Sequence, residues 1–224
     1  MLSHLFSFVL LGLSVVCNAQ TIYLAGDSTM ARGNTVTDGW GQYLSQFVSI
    51  PVVNKALGGR SARSFTEEGR FTEIANLAKS GDYVVISFGH NDGSAGAVDN
   101  GRQCAVGDGY DTTSTVKTAE CGLNVIVSSQ TPRNGWVNGS IGAPPRFVGY
   151  AKLSAERTSV NYIDHYAYTT VNTYYPNSGD VVHTSATWRQ SRRSGVCEGC
   201  SCAMPVALKS KVNSAGQSVP DKCL

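Results

Sequence analysis

Charge is scarce in this chain: Lys, Arg, Asp and Glu make up 15% of its 224 residues and nearly cancel, at +2. Soluble domains average about a quarter charged, and nucleic-acid binders cluster Lys and Arg on one face, so the composition argues against a nucleic-acid partner. Long apolar runs are missing after the N-terminal segment, which excludes a membrane span. Histidine is scarce too, with four residues, of which His90, His165 and His183 follow that segment. Any imidazole chemistry has to come from those three.

The N-terminal segment itself reads as a secretory signal. Leu5 to Val16 is mostly apolar and too short to cross a bilayer, and Cys17-Asn18-Ala19 is a small-residue cleavage site. It lacks the usual leading Lys or Arg. Residues 1–19 are therefore expected to be removed, leaving 20–224 as one secreted domain with a sizeable core. Secretion permits disulfides. Cys104 and Cys121 bracket a Gly/Asp/Thr-rich loop and look like one clasp, with Cys223 a further candidate. Cys197-x-x-Cys200-x-Cys202 has the look of a metal site but lacks a second paired ligand set, so no metal is expected. Asn138-Gly139-Ser140 is a glycosylation sequon.

Strands and helices alternate along the rest. Thr21 to Ala25, Val52-Val53, Tyr83 to Phe88, Val125-Ile126-Val127 and Val160 to Ile163 are short apolar runs of the kind found in buried parallel strands. Between them lie helical stripes: Trp40, Tyr43, Leu44, Phe47 and Val48 behind a capping Asp38; Phe71, Ile74, Ala75 and Ala78; and Phe147, Tyr150, Ala151 and Ser154. The pattern predicts a three-layer α/β domain. Two stretches fit it badly. Residues 93–115 are mostly Gly, Asp, Ser and Thr where a crossover helix belongs, leaving only Thr115 to Glu120 to turn. From Ala186 to Ala207 the chain is polar, basic and without period.

Gly26-Asp27-Ser28 directly follows the first apolar run. Open α/β sheets carry their chemistry at the carboxyl ends of strands, so Ser28 is placed as a nucleophile would be, although the tripeptide alone fits an ordinary turn. Gly58-Gly59-Arg60-Ser61 follows the second strand, where a glycine N–H could approach a ligand oxygen, or simply turn the chain. Asn91 sits in Gly89-His90-Asn91-Asp92 after the strongest strand. Asp180 precedes His183 by three residues, near enough to orient an imidazole that takes a serine proton. His165 beside Asp164 reads as an ordinary hydrogen-bonded histidine, and His90 lacks a carboxylate at that spacing.

Taken in order, these segments resemble the SGNH (GDSL) hydrolases, and within them the fungal rhamnogalacturonan acetylesterases. The matching pieces are Tyr23 to Met30, Gly59 to Ser64, Glu68 to Phe71, Phe88 to Asp92, Ser128 to Pro132 and His183-Thr184-Ser185. The resemblance implies a parallel, flavodoxin-like sheet between helical layers. It also implies Ser28 as nucleophile, His183 as base and Asp180 as its orienting partner. The oxyanion hole it implies comes from the backbone N–H groups of Ser28 and Gly59 with the Asn91 amide. An acetylated pectic polysaccharide is the implied substrate, with no cofactor and a monomeric chain. Arg60, Arg63 and Arg70 are candidates to meet galacturonate carboxylates, against the commoner role of arginine in surface ion pairs.

The family has a long crossover helix before the Val125 strand and a C-terminal helix after His-Thr-Ser, and neither is legible here. Read one nucleotide out of frame after Ser185, residues 186–207 become a proline-initiated amphipathic helix with a forced glycine and a forced cysteine. The written frame then resumes near Leu208. On that reading Cys197, Cys200 and Cys202 are not native, and the natural protein has two disulfides. Two other functions stay open: an inactive secreted carbohydrate-binding homologue, and a lipase or thioesterase, which the absence of an apolar lid disfavours.

Overall fold

Parallel strands buried on both faces need apolar residues at every position, and the first strand has them without a break. Strand β1 (Ile22–Gly26) is buried throughout. A computed structural model describes residues 20–33, 39–93, 122–133, 136–137, 140–171 and 206–218. Around β1 it assembles β2 (Val52–Asn54), β3 (Tyr83–Ser87), β4 (Asn124–Ser128) and a last strand, Asn161–Ile163. A separate two-stranded ribbon, β5 (Trp136–Val137) and β6 (Ser140–Ile141), precedes that last strand, which is β7. The five-stranded sheet is parallel throughout, in the order β2-β1-β3-β4-β7.

Alternation along β1 feeds two cores. Ile22 and Leu24 join Met30, Trp40, Leu44, Val85, Ile126, Tyr168 and Leu208 on one side. Tyr23 and Ala25 join Phe65, Phe71, Ile74, Val84, Phe88 and Val125 on the other. Helices α1 (Ala62–Glu67) and α2 (Arg70–Leu77) contribute Phe65, Phe71 and Ile74 to the second set, with Phe71 edge to face on both Phe65 and Phe88 and Phe65 tilted on Phe88. Helix α4 (His165–Val171) and the short C-terminal helix α5 (Val206–Lys209) contribute to the first. Helix α3 (Arg146–Thr158) packs on β4 and β7. The three-layer αβα architecture is thus as predicted.

Several local expectations are corrected. The stripe from Trp40 to Val48 forms a 3₁₀ helix, Trp40–Gln46, entered from Gly39 without a side-chain cap; Asp38 lies outside the described residues. Gly41 allows this helix to lie close against β1 and the turn that follows it. A Cβ on Gly41 would sit 2.6 Å from the Met30 carbonyl oxygen and 2.8 Å from Leu24 Cδ1. Helix α3 buries Val148 and Ala155, a face turned by about one residue from the predicted Phe147, Tyr150 and Ser154. Those aromatics do other work: Phe147 stacks edge to face on Tyr150 and packs over Gly93, just beyond β3.

Helix α1 was not foreseen. Ser61 caps it by accepting from the Ser64 N–H, and the Ser64 hydroxyl accepts from Ser61 N–H in return. Helix α4 begins where Asp164 accepts from the Ala167 N–H. At the C-terminus, Leu208, near which the written frame is expected to resume, is fully buried. Val212 bridges to Val48, and Asn213 both caps α6 (Ser214–Gln217) and ties back to Gln46 and Val48. Residues 94–121 of the crossover between β3 and β4, residues 1–19, the sequon at Asn138 and residues 186–205 lie outside the described residues. So do all seven cysteines, and the expected disulfides find no support among the residues that are described.

Candidate active site

The sheet order places β1 between β2 and β3, so chain connections leave it in opposite directions and open a crevice at the carboxyl ends of β1 and β3. Ser28 stands there. A tight turn carries it: the N–H groups of Met30 and Ala31 both donate to the Asp27 carbonyl, and Asp27 Oδ1 accepts from the Thr29 N–H at 2.8 Å and its hydroxyl at 2.7 Å. Asp27 and Thr29 are buried while Ser28 is half-exposed. The turn leaves Ser28 partly exposed between two buried neighbours.

Gly26 makes this corner possible. A Cβ there would lie 2.7 Å from Met30 Sδ and 2.8 Å from the Ser87 carbonyl oxygen. The loop after β2 then runs along the end of β1, held by Lys55 N–H to Leu24 O and Leu57 N–H to Gly26 O, both 2.9 Å. It brings Gly58 against Ser28, since a Cβ on Gly58 would touch Ser28 Cβ at 3.6 Å. Gly59 follows in the left-handed region, φ 76°.

The loop after β3 is anchored to the same place. Asn91 Nδ2 donates to the Arg60 carbonyl at 3.0 Å, and Asp92 Oδ1 accepts from the Ala62 N–H at 3.0 Å, at the start of α1. Gly89, at φ 145°, lets the loop pass over Gln130, whose Oε1 would be 2.2 Å from any Cβ there. His90 Nε2 lies 3.2 Å from Thr131 Oγ1. Burial pushes the Asp92 carboxyl up to about 7; the Ala62 N–H opposes this and the nearby Asp27 charge adds to it. Neither the Asp92 contact with α1 nor its approach to Asp27 was anticipated. Both join residues far apart in sequence and leave no local signal.

Of the residues singled out in the sequence, Ser28, Gly59 and Asn91 are thus carried on loops that pack together. Asp180 and His183 lie outside the described residues. His165 is fully buried, its ring edge to face with Trp40 at 5.3 Å. The three arginines pair with glutamates: Arg63 Nε with Glu67 at 2.8 Å, Arg60 Nε with Glu68 at 3.0 Å, and Arg70 with Glu68 as well. Hydrogen bonding from Arg70, helped by Arg60, holds Glu68 below the usual carboxylate range. A partly exposed serine on a turn against which a glycine loop packs, with an amide-bearing loop bonded to that loop, has the residue types that attack on an acyl carbonyl needs.

The sequence profile described as GDSL-like Lipase/Acylhydrolase matches residues 22–188. Rhamnogalacturonan acetylesterase of Emericella nidulans is 49% identical over 199 residues, covering 75% of this chain and 79% of that one. That share of this chain is fewer than 199 residues, so the relative carries residues with no counterpart here. Rhamnogalacturonan acetylesterase RhgT of Bacillus subtilis is 46% identical over 76 residues, spanning about a third of each protein. Among solved structures, YxiM of Bacillus subtilis superposes with TM-score 0.62 at 22% identity, covering 80% of this chain and 55% of that one. A catalytic mutant of Axe2, an acetylxylan esterase of Geobacillus stearothermophilus, superposes with TM-score 0.60 at 17% identity, covering 80% and 93%. These two likenesses bear on the fold.

Proposed function

The chain belongs to the family of GDSL-like lipases and acylhydrolases, and from that premise we propose that it is a secreted serine esterase removing acetyl groups from rhamnogalacturonan. The observation that carries the reading is the packing of the loop after β2 against Ser28 and of the loop after β3 against that loop, the two loops bearing the candidate oxyanion donors. The substrate class rests on the similarity to the Emericella enzyme over three quarters of the chain.

In the proposed reaction Ser28 Oγ attacks the acetyl carbonyl carbon while His183 takes the hydroxyl proton. Asp180 holds the imidazole in the tautomer able to accept it and stabilises the imidazolium. The carbonyl oxygen becomes an oxyanion, received by the N–H groups of Ser28 and Gly59 and by the Asn91 amide. Collapse breaks the ester bond, and the sugar oxygen leaves with the proton from His183. Water then attacks the acetyl-serine, giving its proton to His183. That proton returns to Ser28 Oγ as acetate departs.

A fluorophosphonate probe followed by peptide mapping, together with acetate release from acetylated rhamnogalacturonan, acetylated xylan and a lipid ester, tests this. Labelling at Ser28 with preference for the pectic substrate is expected. A folded protein that never reacts at Ser28 would establish an inactive carbohydrate-binding homologue instead, and preference for the lipid ester would establish a lipase.

A further inference from the structure

Arg60 stands at the junction of the two loops that hold the candidate oxyanion donors, yet the proposed reaction gives it no part. Its guanidinium Nη1 donates to the Gly58 carbonyl at 3.1 Å. That carbonyl and the Gly59 N–H are opposite ends of one planar trans peptide, so fixing the first fixes the direction of the second. Nε of the same guanidinium donates to Glu68 Oε1 at 3.0 Å and Oε2 at 3.3 Å, which keeps the fork from swinging away. Glu68 in turn is shared with Arg70. On its other side, the Arg60 backbone carbonyl accepts one N–H of the Asn91 amide at 3.0 Å. The amide keeps its second N–H for the ester oxygen.

We infer that Arg60 is a positioning residue of the oxyanion hole, aiming the Gly59 N–H with its guanidinium and the Asn91 amide with its carbonyl. The inference rests on the esterase reading above and assigns Arg60 a role other than meeting substrate carboxylates. A cation on the carbonyl end also polarises the peptide, which makes its N–H a stronger donor at the moment negative charge develops. The glutamate clamp explains why the cation is an arginine: one planar fork serves Gly58 and Glu68 together, which a lysine ammonium does without fixed geometry.

The backbone carbonyl survives any substitution, so side-chain variants isolate the guanidinium. The test compares kcat and KM for wild type, Arg60→Ala and Arg60→Lys on 4-nitrophenyl acetate, which is small and uncharged, and on acetylated rhamnogalacturonan fragments. Misaiming a donor without removing it is expected to lower kcat about ten- to a hundredfold in Arg60→Ala on both substrates, with KM within about twofold. Arg60→Lys is expected to recover part of the loss. Wild-type kcat on 4-nitrophenyl acetate, with KM raised on the polyanion alone, would make Arg60 a carboxylate-binding residue and overturn the inference. Should Arg60→Ala fail to fold, Arg60→Gln is read by the same criterion, reduced kcat supporting the inference and wild-type kcat overturning it. A wild-type protein inactive on every ester sinks the esterase reading and this inference together. An active wild type with fully active Arg60 variants sinks this inference alone.

Discussion

Replacing Asn91 by alanine removes one side chain with two separable jobs. Structurally, its amide is the donor that ties the loop after β3 to the Arg60 carbonyl across the mouth of the crevice. That bond is partly exposed, and water can replace the lost donor. The cost should stay near the net value of one hydrogen bond, about 1 kcal/mol, and shift Tm by about 2–4 °C in a chain of this size. Chemically, the same amide is proposed to meet the oxyanion, and losing one such donor typically raises the barrier by about 3–4 kcal/mol, or 10²–10³ in kcat. The two magnitudes differ enough to be told apart. Because the oxyanion exists only after attack, KM should move little while kcat collapses. Steady-state kinetics on an acetyl ester, beside a thermal melt of the same preparation, reads both. A variant with wild-type kcat and a lowered Tm would make Asn91 a loop clasp and nothing more, and the oxyanion assignment would fail.

Three further substitutions probe the same corner. Asp92, raised to about 7 by burial, keeps its proton in the folded state to higher pH than the unfolded chain does. Its contribution is therefore intact below about pH 4 and lost as pH rises to about 7, by roughly 4 kcal/mol at most, and Asp92→Asn should abolish that slope while still accepting from Ala62. Denaturation curves of variant and wild type running parallel from pH 4 to 8 would refute this. Gly59→Ala places a Cβ at φ 76°, a strain of about 1–2 kcal/mol that should lower activity more than stability, since the loop can relax by turning its N–H; unchanged kcat would count against Gly59 as a donor. Gly89→Ala drives a Cβ to 2.2 Å from Gln130 Oε1 at φ 145° and should destabilise by about 1–3 kcal/mol, visible in a urea melt.

What the sequence revealed and what it hid divide along one line, the distance over which the deciding interaction acts. Strands β1, β3 and β4 were legible because burial on both faces demands unbroken apolar runs, and α2 because Phe71 and Ile74 keep helical spacing. Ser28 was legible from its place one turn beyond β1. Helix α1 was missed because its box closes with Ser64 rather than Glu or Gln, and α4 because Asp164 was read as a partner of His165 rather than as a cap. The buried face of α3 was misjudged because large aromatics outweighed small residues in the pattern, while Phe147 packs over Gly93 at the end of β3. Arg60 reads in the sequence as a candidate for substrate carboxylates or a surface ion pair, because nothing in its neighbourhood of sequence mentions Asn91, thirty-one residues on.

The loops at the mouth of the sheet are bound to one another before any base is considered. Gly26 O accepts from Leu57, Arg60 O from Asn91 and Asp92 Oδ1 from Ala62, while Gly89 lies over Gln130 and His90 against Thr131. Each bond crosses from one strand's loop, or the helix that follows it, to the next, so the part of the crevice that carries the candidate oxyanion donors is tied together by contacts among residues 26 to 131. Preorganised donors cost no reorientation when charge appears, which is where most of a catalytic advantage of this kind arises. The candidate base comes from a separate stretch, Asp180 to His183, and its contribution is a proton transfer worth about 10²–10⁴. A site divided in this way asks very different things of its two halves. The proposed donor half needs rigid geometry, and glycines at 26 and 89 allow the backbone and its neighbours to approach within distances no side chain would permit. The proposed base half needs only to deliver one imidazole nitrogen to the Ser28 hydroxyl.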